Sequence, residues 1–220
     1  MAWTYEALFD TTSSPSYSAG DLNGQNSWSA ATSYDVQSSV TYQGDGAVLQ
    51  TGTAATPAVI AFSAVSDGTL YYAERRSSTS GDASVYFRNS GTLQFSINFE
   101  IAKIRTNNGA GVAVILDPYV ANTWYVIEVT FDASNNHTIR YNTGSGWSAS
   151  FGPYTSTNTA DINEIELNTG TTNNQYWDMI TPTNPFPTTN IKTFDGLAYA
   201  STKTVDGLAL ASVKTWCGLT

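Results

Sequence analysis

The feature that most constrains this chain is a hydrophobic period of two that returns in short runs. Residues 69–75, 83–88, 93–99, 123–131, 138–141 and 163–167 each alternate apolar with polar side chains and are rich in Val, Ile, Tyr, Phe and Thr. Alternation of that kind places every second side chain on one face of an extended strand, so each run reads as a half-buried β-strand. Clusters such as Asp132-Ala133-Ser134-Asn135-Asn136 and Asn142-Thr143-Gly144-Ser145-Gly146 punctuate the runs with turn-forming residues. No segment shows the 3.6-residue period of a helix. Strands at intervals of roughly ten residues predict an all-β, two-sheet antiparallel jelly-roll sandwich.

Charge and composition narrow what such a sandwich does. With 18 acidic against 9 basic residues the chain carries a net charge of −9, which argues against a nucleic-acid partner. One Cys and one His exclude an internal disulfide and a thiolate or imidazole zinc site, so any metal would be oxygen-ligated. The opening Met1-Ala2-Trp3-Thr4-Tyr5-Glu6 lacks the basic and apolar regions of a secretory leader, and no apolar run reaches membrane-spanning length. The expectation is a protein made in the cytoplasm, without membrane insertion.

The charge is unevenly spread. Residues 1–190 hold 16 acidic and 6 basic side chains, whereas residues 191–220 hold 2 and 3. Between the two lie Pro182, Pro185 and Pro187, which favour an extended linker over residues 182–190. The expected organisation is a sandwich over residues 1–181, the linker, and a tail over residues 191–220.

That tail repeats itself. Ile191-Lys192-Thr193-Phe194-Asp195-Gly196-Leu197-Ala198 aligns with Thr202-Lys203-Thr204-Val205-Asp206-Gly207-Leu208-Ala209, and then with Val213-Lys214-Thr215-Trp216-Cys217-Gly218-Leu219. The period is eleven residues. Asp-Gly between alternating segments is a two-residue hairpin signal, so the tail is expected to form a β-meander. Cys217 falls at the turn position held by Asp195 and Asp206. So small a ribbon cannot bury a core alone. Phe194, Leu197, Val205, Leu208, Trp216 and Leu219 are therefore expected to dock on another surface or to join copies of the chain as a homo-oligomer.

Two further stretches carry a family resemblance. Leu22-Asn23-Gly24-Gln25-Asn26-Ser27-Trp28 resembles a signature of concanavalin A-like, laminin-G-like jelly rolls, and residues 123–132, 138–142 and 146–147 resemble a Trp-led strand, Asp turn and returning strand of the same superfamily. Tyr176-Trp177-Asp178-Met179-Ile180 resembles its closing strand. The resemblance implies the jelly-roll fold, and it implies a calcium ion held near the first and last strands, for which Asp10, Asp21 and Asp178 are the candidates. It leaves activity open, because the superfamily holds lectins, glycanases, lyases and surface decorations. Its laminarinase branch uses an E-x-D-x-x-E strand; Glu164 and Glu166 share a face here, but Asn163 and Ile165 break that pattern. They are expected to form an outward acidic edge.

Carbohydrate recognition needs aromatic faces together with polar donors, and both are abundant. Trp28, Trp124 and Trp177 are expected in the core. Trp147, beside the Gly144–Gly146 turn, is expected to be exposed, and with Tyr154 and Arg75 it is the candidate sugar contact. Arg75 and Arg76, with Glu74, suit a carboxylate or sugar acid, although a solvated strand end is the plainer expectation. His137 is expected on a turn surface.

Taken together, the sequence predicts a non-enzymatic virion decoration or adhesion protein. It would display a glycan-binding jelly roll and dock through its tail to other virion or surface proteins. Virion surface, or else a bacterial cell surface, is the expected location. The alternative is a glycan-active enzyme, or its carbohydrate-binding module.

Overall fold

The computed structural model describes residues 3–52, 56–107, 111–156, 158–170 and 173–186, together with four short backbone segments between residues 193 and 209. The chain divides into two units, residues 1–184 and 185–220, and the division falls inside the proline-rich stretch.

The first unit is a two-sheet antiparallel sandwich. Its strands are β1 (Gly20–Asp21), β2 (Tyr34–Gln37), β3 (Ala47–Gln50), β4 (Ala58–Val65), β5 (Gly68–Arg76), β6 (Ala83–Asn89) and β7 (Thr92–Glu100). They continue as β8 (Lys103–Asn107), β9 (Val112–Leu116), β10 (Trp124–Phe131), β11 (His137–Asn142), β12 (Phe151–Tyr154), β13 (Ile162–Thr169) and β14 (Gln175–Thr181). An eight-stranded sheet has the order β1-β2-β3-β14-β5-β10-β11-β12, and a six-stranded sheet the order β4-β13-β6-β7-β8-β9.

The alternation read from the sequence becomes the division between core and outer face. On β5, Leu70 and Tyr72 enter the core, and on β10 Tyr125, Ile127, Val129 and Phe131 join them. From the facing sheet come Val85, Phe87, Phe95, Ile97, Phe99, Ile165 and Leu167. Phe87 and Phe95 stack with ring centroids 4.5 Å apart. Each such side chain, fully buried, contributes about 1.5–3 kcal/mol of hydrophobic stabilisation, which holds the register of the two sheets.

The resemblance segment near the start is a structural corner. Gln25 donates from Nε2 to the carbonyls of Ser18 and Asp21 at 2.9 and 2.7 Å, and its Oε1 accepts from the Ser18 amide. Asn26 Nδ2 reaches the Ser16 carbonyl at 2.8 Å. These side chains satisfy the backbone of an irregular segment and let Trp28 drop into the core, where Nε1 donates to Tyr17 Oη at 3.2 Å.

Several residues sit elsewhere than expected. His137 is completely buried at the start of β11, stacked on Phe95 at 4.3 Å. Its ring belongs to the core because residue 137 shares the inward parity of Ile139. Glu74 and Arg76 are not a solvated strand end; they continue the inward row of Leu70 and Tyr72 and are 0% and 1% exposed. Trp124 is half-buried rather than in the core, since its neighbour Tyr125 takes the inward position. Glu164 and Glu166 lie on β13, which is flanked by β4 and β6 and is no edge. Glu166 is buried and pairs with Arg88 at 2.7 Å, and Glu164 accepts the Gly91 amide.

In the second unit, β15 (Thr193–Phe194) pairs antiparallel with β16 (Leu197–Ala198), and β17 (Thr204–Val205) with β18 (Leu208–Ala209). The side chains of Phe194, Leu197, Val205 and Leu208, and residues Trp216 and Leu219 entirely, lie outside the described residues.

Candidate functional site

The outer face of the eight-stranded sheet collects aromatic and charged side chains in rows. One row crosses β14, β5 and β10 as Tyr176, Arg75 and Trp124. The next runs Asp178, Ala73, Val126 and Asn142, and the one after it runs Tyr71, Glu128 and Arg140 across β5, β10 and β11. Successive rows on one face are two residues apart, about 7 Å along the strands. Ala73 and Val126 in the middle row are fully buried, so the partly exposed side chains of this face are Arg75 and Trp124 at one end and Arg140 and Trp147 at the other.

At one end, Glu128 receives Arg140 through two hydrogen bonds, Nε to Oε1 at 2.7 Å and Nη2 to Oε2 at 2.5 Å. This fork-to-carboxylate pairing fixes the guanidinium plane. Trp147 lies over it, with the Arg140 guanidinium carbon 5.0 Å from the ring centroid, and tilts against Tyr71 at 5.9 Å. Burial, followed by the Glu128 charge, pushes the Tyr71 hydroxyl up to about 12. The phenol stays protonated, with its hydroxyl turned to the Glu128 carboxylate. Trp147 reaches this place because an antiparallel bridge to Asn142 closes the turn between them.

At the other end, Arg75 donates from Nε to the Asn122 carbonyl at 3.1 Å and from Nη2 to Asn122 Oδ1 at 3.0 Å. Its guanidinium carbon sits 5.1 Å from the centre of the Tyr176 ring. Trp124 meets Tyr176 at 6.4 Å and Tyr42 at 5.9 Å, both edge to face.

Tyr42 is brought there by two carboxylates. Asp178 Oδ2 accepts the amides of Tyr42 and Gln43 at 2.7 and 3.1 Å, and Asp10 Oδ1 accepts those of Asp45 and Gly46 at 2.9 and 3.1 Å. Gly44, at φ +63°, crosses directly above the Asp10 carboxylate, where a Cβ would stand 2.1 Å from its oxygens. Only glycine fits there.

Of the sugar contacts expected from sequence, Arg75 and Trp147 share this face, at its opposite ends. Trp147 is half-buried rather than exposed. Tyr154 is elsewhere: it pairs with His137 on β11 and its ring lies 5.7 Å from the imidazole, against the core. The three calcium candidates are not brought together. Asp10 and Asp178 grip the same turn, each giving one carboxylate oxygen to two backbone N–H donors. Asp21 is exposed on β1 with its Oδ1 taken by the Asn23 amide. Among the described residues no cluster of three or more acidic, His or Cys side chains is placed to hold a metal ion. Sequence reasoning overlooked Tyr71, Glu128, Arg140, Tyr42 and Tyr176 as neighbours. The parity of residues 71, 73 and 75 was visible, but the strand pairing that aligns them with β10, β11 and β14 was not.

Against known proteins, no family model matches the chain and no curated protein matches it in sequence. Solved structures do share its fold. A cellulose induced protein, Cip1, superposes with a TM-score of 0.53 at 10% identity, covering 80% of this chain and 95% of that one. A sialidase superposes at 0.54 with 9% identity over 76% of this chain, and a botulinum neurotoxin type G receptor binding domain at 0.50 with 12% identity over 70%. The chain spans 18% of that sialidase and 41% of that toxin domain. The first unit thus has the concanavalin A-like jelly-roll sandwich fold.

Proposed function

We propose that this chain is a non-catalytic glycan-recognition domain whose binding surface is the outer face of the eight-stranded sheet. The observation that carries the reading is the placement of tryptophan. Trp3, Trp28 and Trp177 are buried, whereas Trp124 and Trp147, the two described tryptophans that keep solvent exposure, both stand on this one face. Sugar rings bind by laying their C–H faces on aromatic rings while hydroxyls take polar partners, which Arg75 supplies beside Trp124 at one end and Arg140 beside Trp147 at the other. Similarity in fold to a sialidase and to a toxin's receptor binding domain agrees with the reading and does not carry it.

A binding role fits this face better than hydrolysis. Glycoside hydrolysis uses two carboxylates, one to protonate the leaving group and one to attack or to activate water. Here Glu128 is held bidentate by Arg140, and Asp178 is fully buried beneath two backbone amides. The tail is carried in this proposal as the docking element of a virion or cell-surface protein, on the strength of its eleven-residue repeat and the equivalent pairings of residues 193–198 and 204–209.

The test is a glycan array with the full chain, followed by titration of Trp124→Ala, Trp147→Ala and, on the outer face of the six-stranded sheet, Tyr86→Ala. Loss of about tenfold or more in affinity for either Trp variant, with Tyr86→Ala unchanged, is the expected result. Absence of binding to every sugar, or loss confined to Tyr86→Ala, overturns the site. Release of new reducing ends from a bound polysaccharide overturns the non-catalytic reading.

A further inference from the structure

We infer that the glycan is acidic, and that Arg75 is the residue that receives its carboxylate. This rests on the binding face proposed above.

Six basic side chains lie in the described part of the first unit. Four pair with carboxylates: Arg88 with Glu166, Lys103 with Asp117, Arg105 with Glu100 and Arg140 with Glu128. A fifth, Arg76, is buried and donates to the carbonyls of Ser80, Gly81 and Phe99. Arg75 alone among them keeps its charged end near solvent with no acidic partner. In a chain of 18 acidic and 9 basic residues such an omission is informative, because carboxylates are plentiful and none has been placed here.

The side chain is also preorganised. Two of its five N–H donors are spent on Asn122, and the guanidinium lies over Tyr176 at 5.1 Å, so the plane is fixed before any ligand arrives. The remaining donors have no acceptor among the described residues. A planar fork held in this way suits bidentate binding of a carboxylate better than a flexible ammonium would. Its neighbour in the same row is Trp124, on which the ring bearing that carboxylate would stack. The ligand class is therefore a uronic or sialic acid unit within a glycan, with the acid on Arg75 and the chain running toward Trp147.

The experiment compares oligoglucuronate, oligogalacturonate and sialyllactose with their carboxyl methyl esters, by calorimetric titration against the full chain and Arg75→Met. At least one acid is expected to bind about tenfold or more tightly than its ester, in line with a charge-assisted hydrogen-bonded pair. Arg75→Met should bind acid and ester alike, and Arg75→Lys should recover only part of the difference. An ester that binds as well as its acid overturns the inference, with or without a folded variant, and so does an Arg75→Met protein that keeps the preference. Binding of neutral sugars alone overturns the inference while leaving the glycan-binding face standing; binding of no sugar overturns both.

Discussion

Asp178 and Asp10, from opposite ends of the sandwich sequence, hold the two halves of one turn: Asp178 accepts the amides of Tyr42 and Gln43, and Asp10 those of Asp45 and Gly46. The turn is thereby tied to the last strand of the sheet, and Tyr42 is delivered to Trp124. Residues that the family resemblance marks as calcium candidates act here as a clasp for the wall of the site.

Asp178→Ala removes one side of that clasp. Two amide donors lose their acceptor and a cavity opens beside Ala73, so unfolding stability should drop by about 3 kcal/mol in urea titration. Glycan affinity should fall as well, because Tyr42 loses its position. Fluorescence of Trp124 would report the loosened turn. An unchanged denaturation midpoint would show that the clasp contributes nothing.

The second prediction concerns pH. Glu74 is fully buried with neither carboxylate oxygen hydrogen-bonded, and burial pushes its pKa up to about 8, from 4.5 in the unfolded chain. Between those values the folded state holds a proton that the unfolded state has released, so the Glu74 contribution to stability is fully present below about pH 4.5 and is lost as pH rises to 8. Asp178, raised to about 7 by burial, acts in the same direction. His137, whose pKa burial depresses below 6.5, acts oppositely: its contribution is present above that pH and is lost as pH falls. Glu74→Gln isolates the first effect. The variant should match wild type near pH 4.5 and exceed it by as much as about 4 kcal/mol near pH 9, measured as the difference between two denaturation series. A constant difference across that range would contradict a buried neutral Glu74.

Glu74 also shows how much of the fold was legible in the sequence, and where reading stopped. Strands β5, β6, β7, β10, β11 and β13 follow from alternation, because each has one apolar face. The same alternation places Glu74 and Arg76 in register with Leu70 and Tyr72, on the inward side. Their charge argued for solvent, and the parity of the strand prevailed, as it did for His137. Strand β8 (Lys103–Asn107) was not read as a strand because polar side chains dominate it; its pairing with β7 supplies what its own pattern lacks. The site was half legible. Arg75 and Trp147 could be named as surface candidates, but Glu128, Arg140 and Tyr71 become one constellation only through cross-strand register, which a single sequence does not display.

That constellation supplies the last prediction. Glu128 is 8% exposed and, among the described residues, its one basic partner is Arg140, so removing the arginine strands a charge beside Tyr71 and Trp147. Arg140→Met should cost about 2–3 kcal/mol, the penalty of an unpaired and largely buried carboxylate. Adding Glu128→Gln should restore most of the stability, since the stranded charge is then gone. Glycan binding should not return in the double variant, because neither the fork that orients Trp147 nor the charged rim of the face is rebuilt. A double-mutant cycle in urea, read beside titration of the same four proteins, separates the two effects. If the double variant recovered binding together with stability, Arg140 and Glu128 would be scaffolding beneath Trp147 and the ligand would rest on the aromatic rings alone.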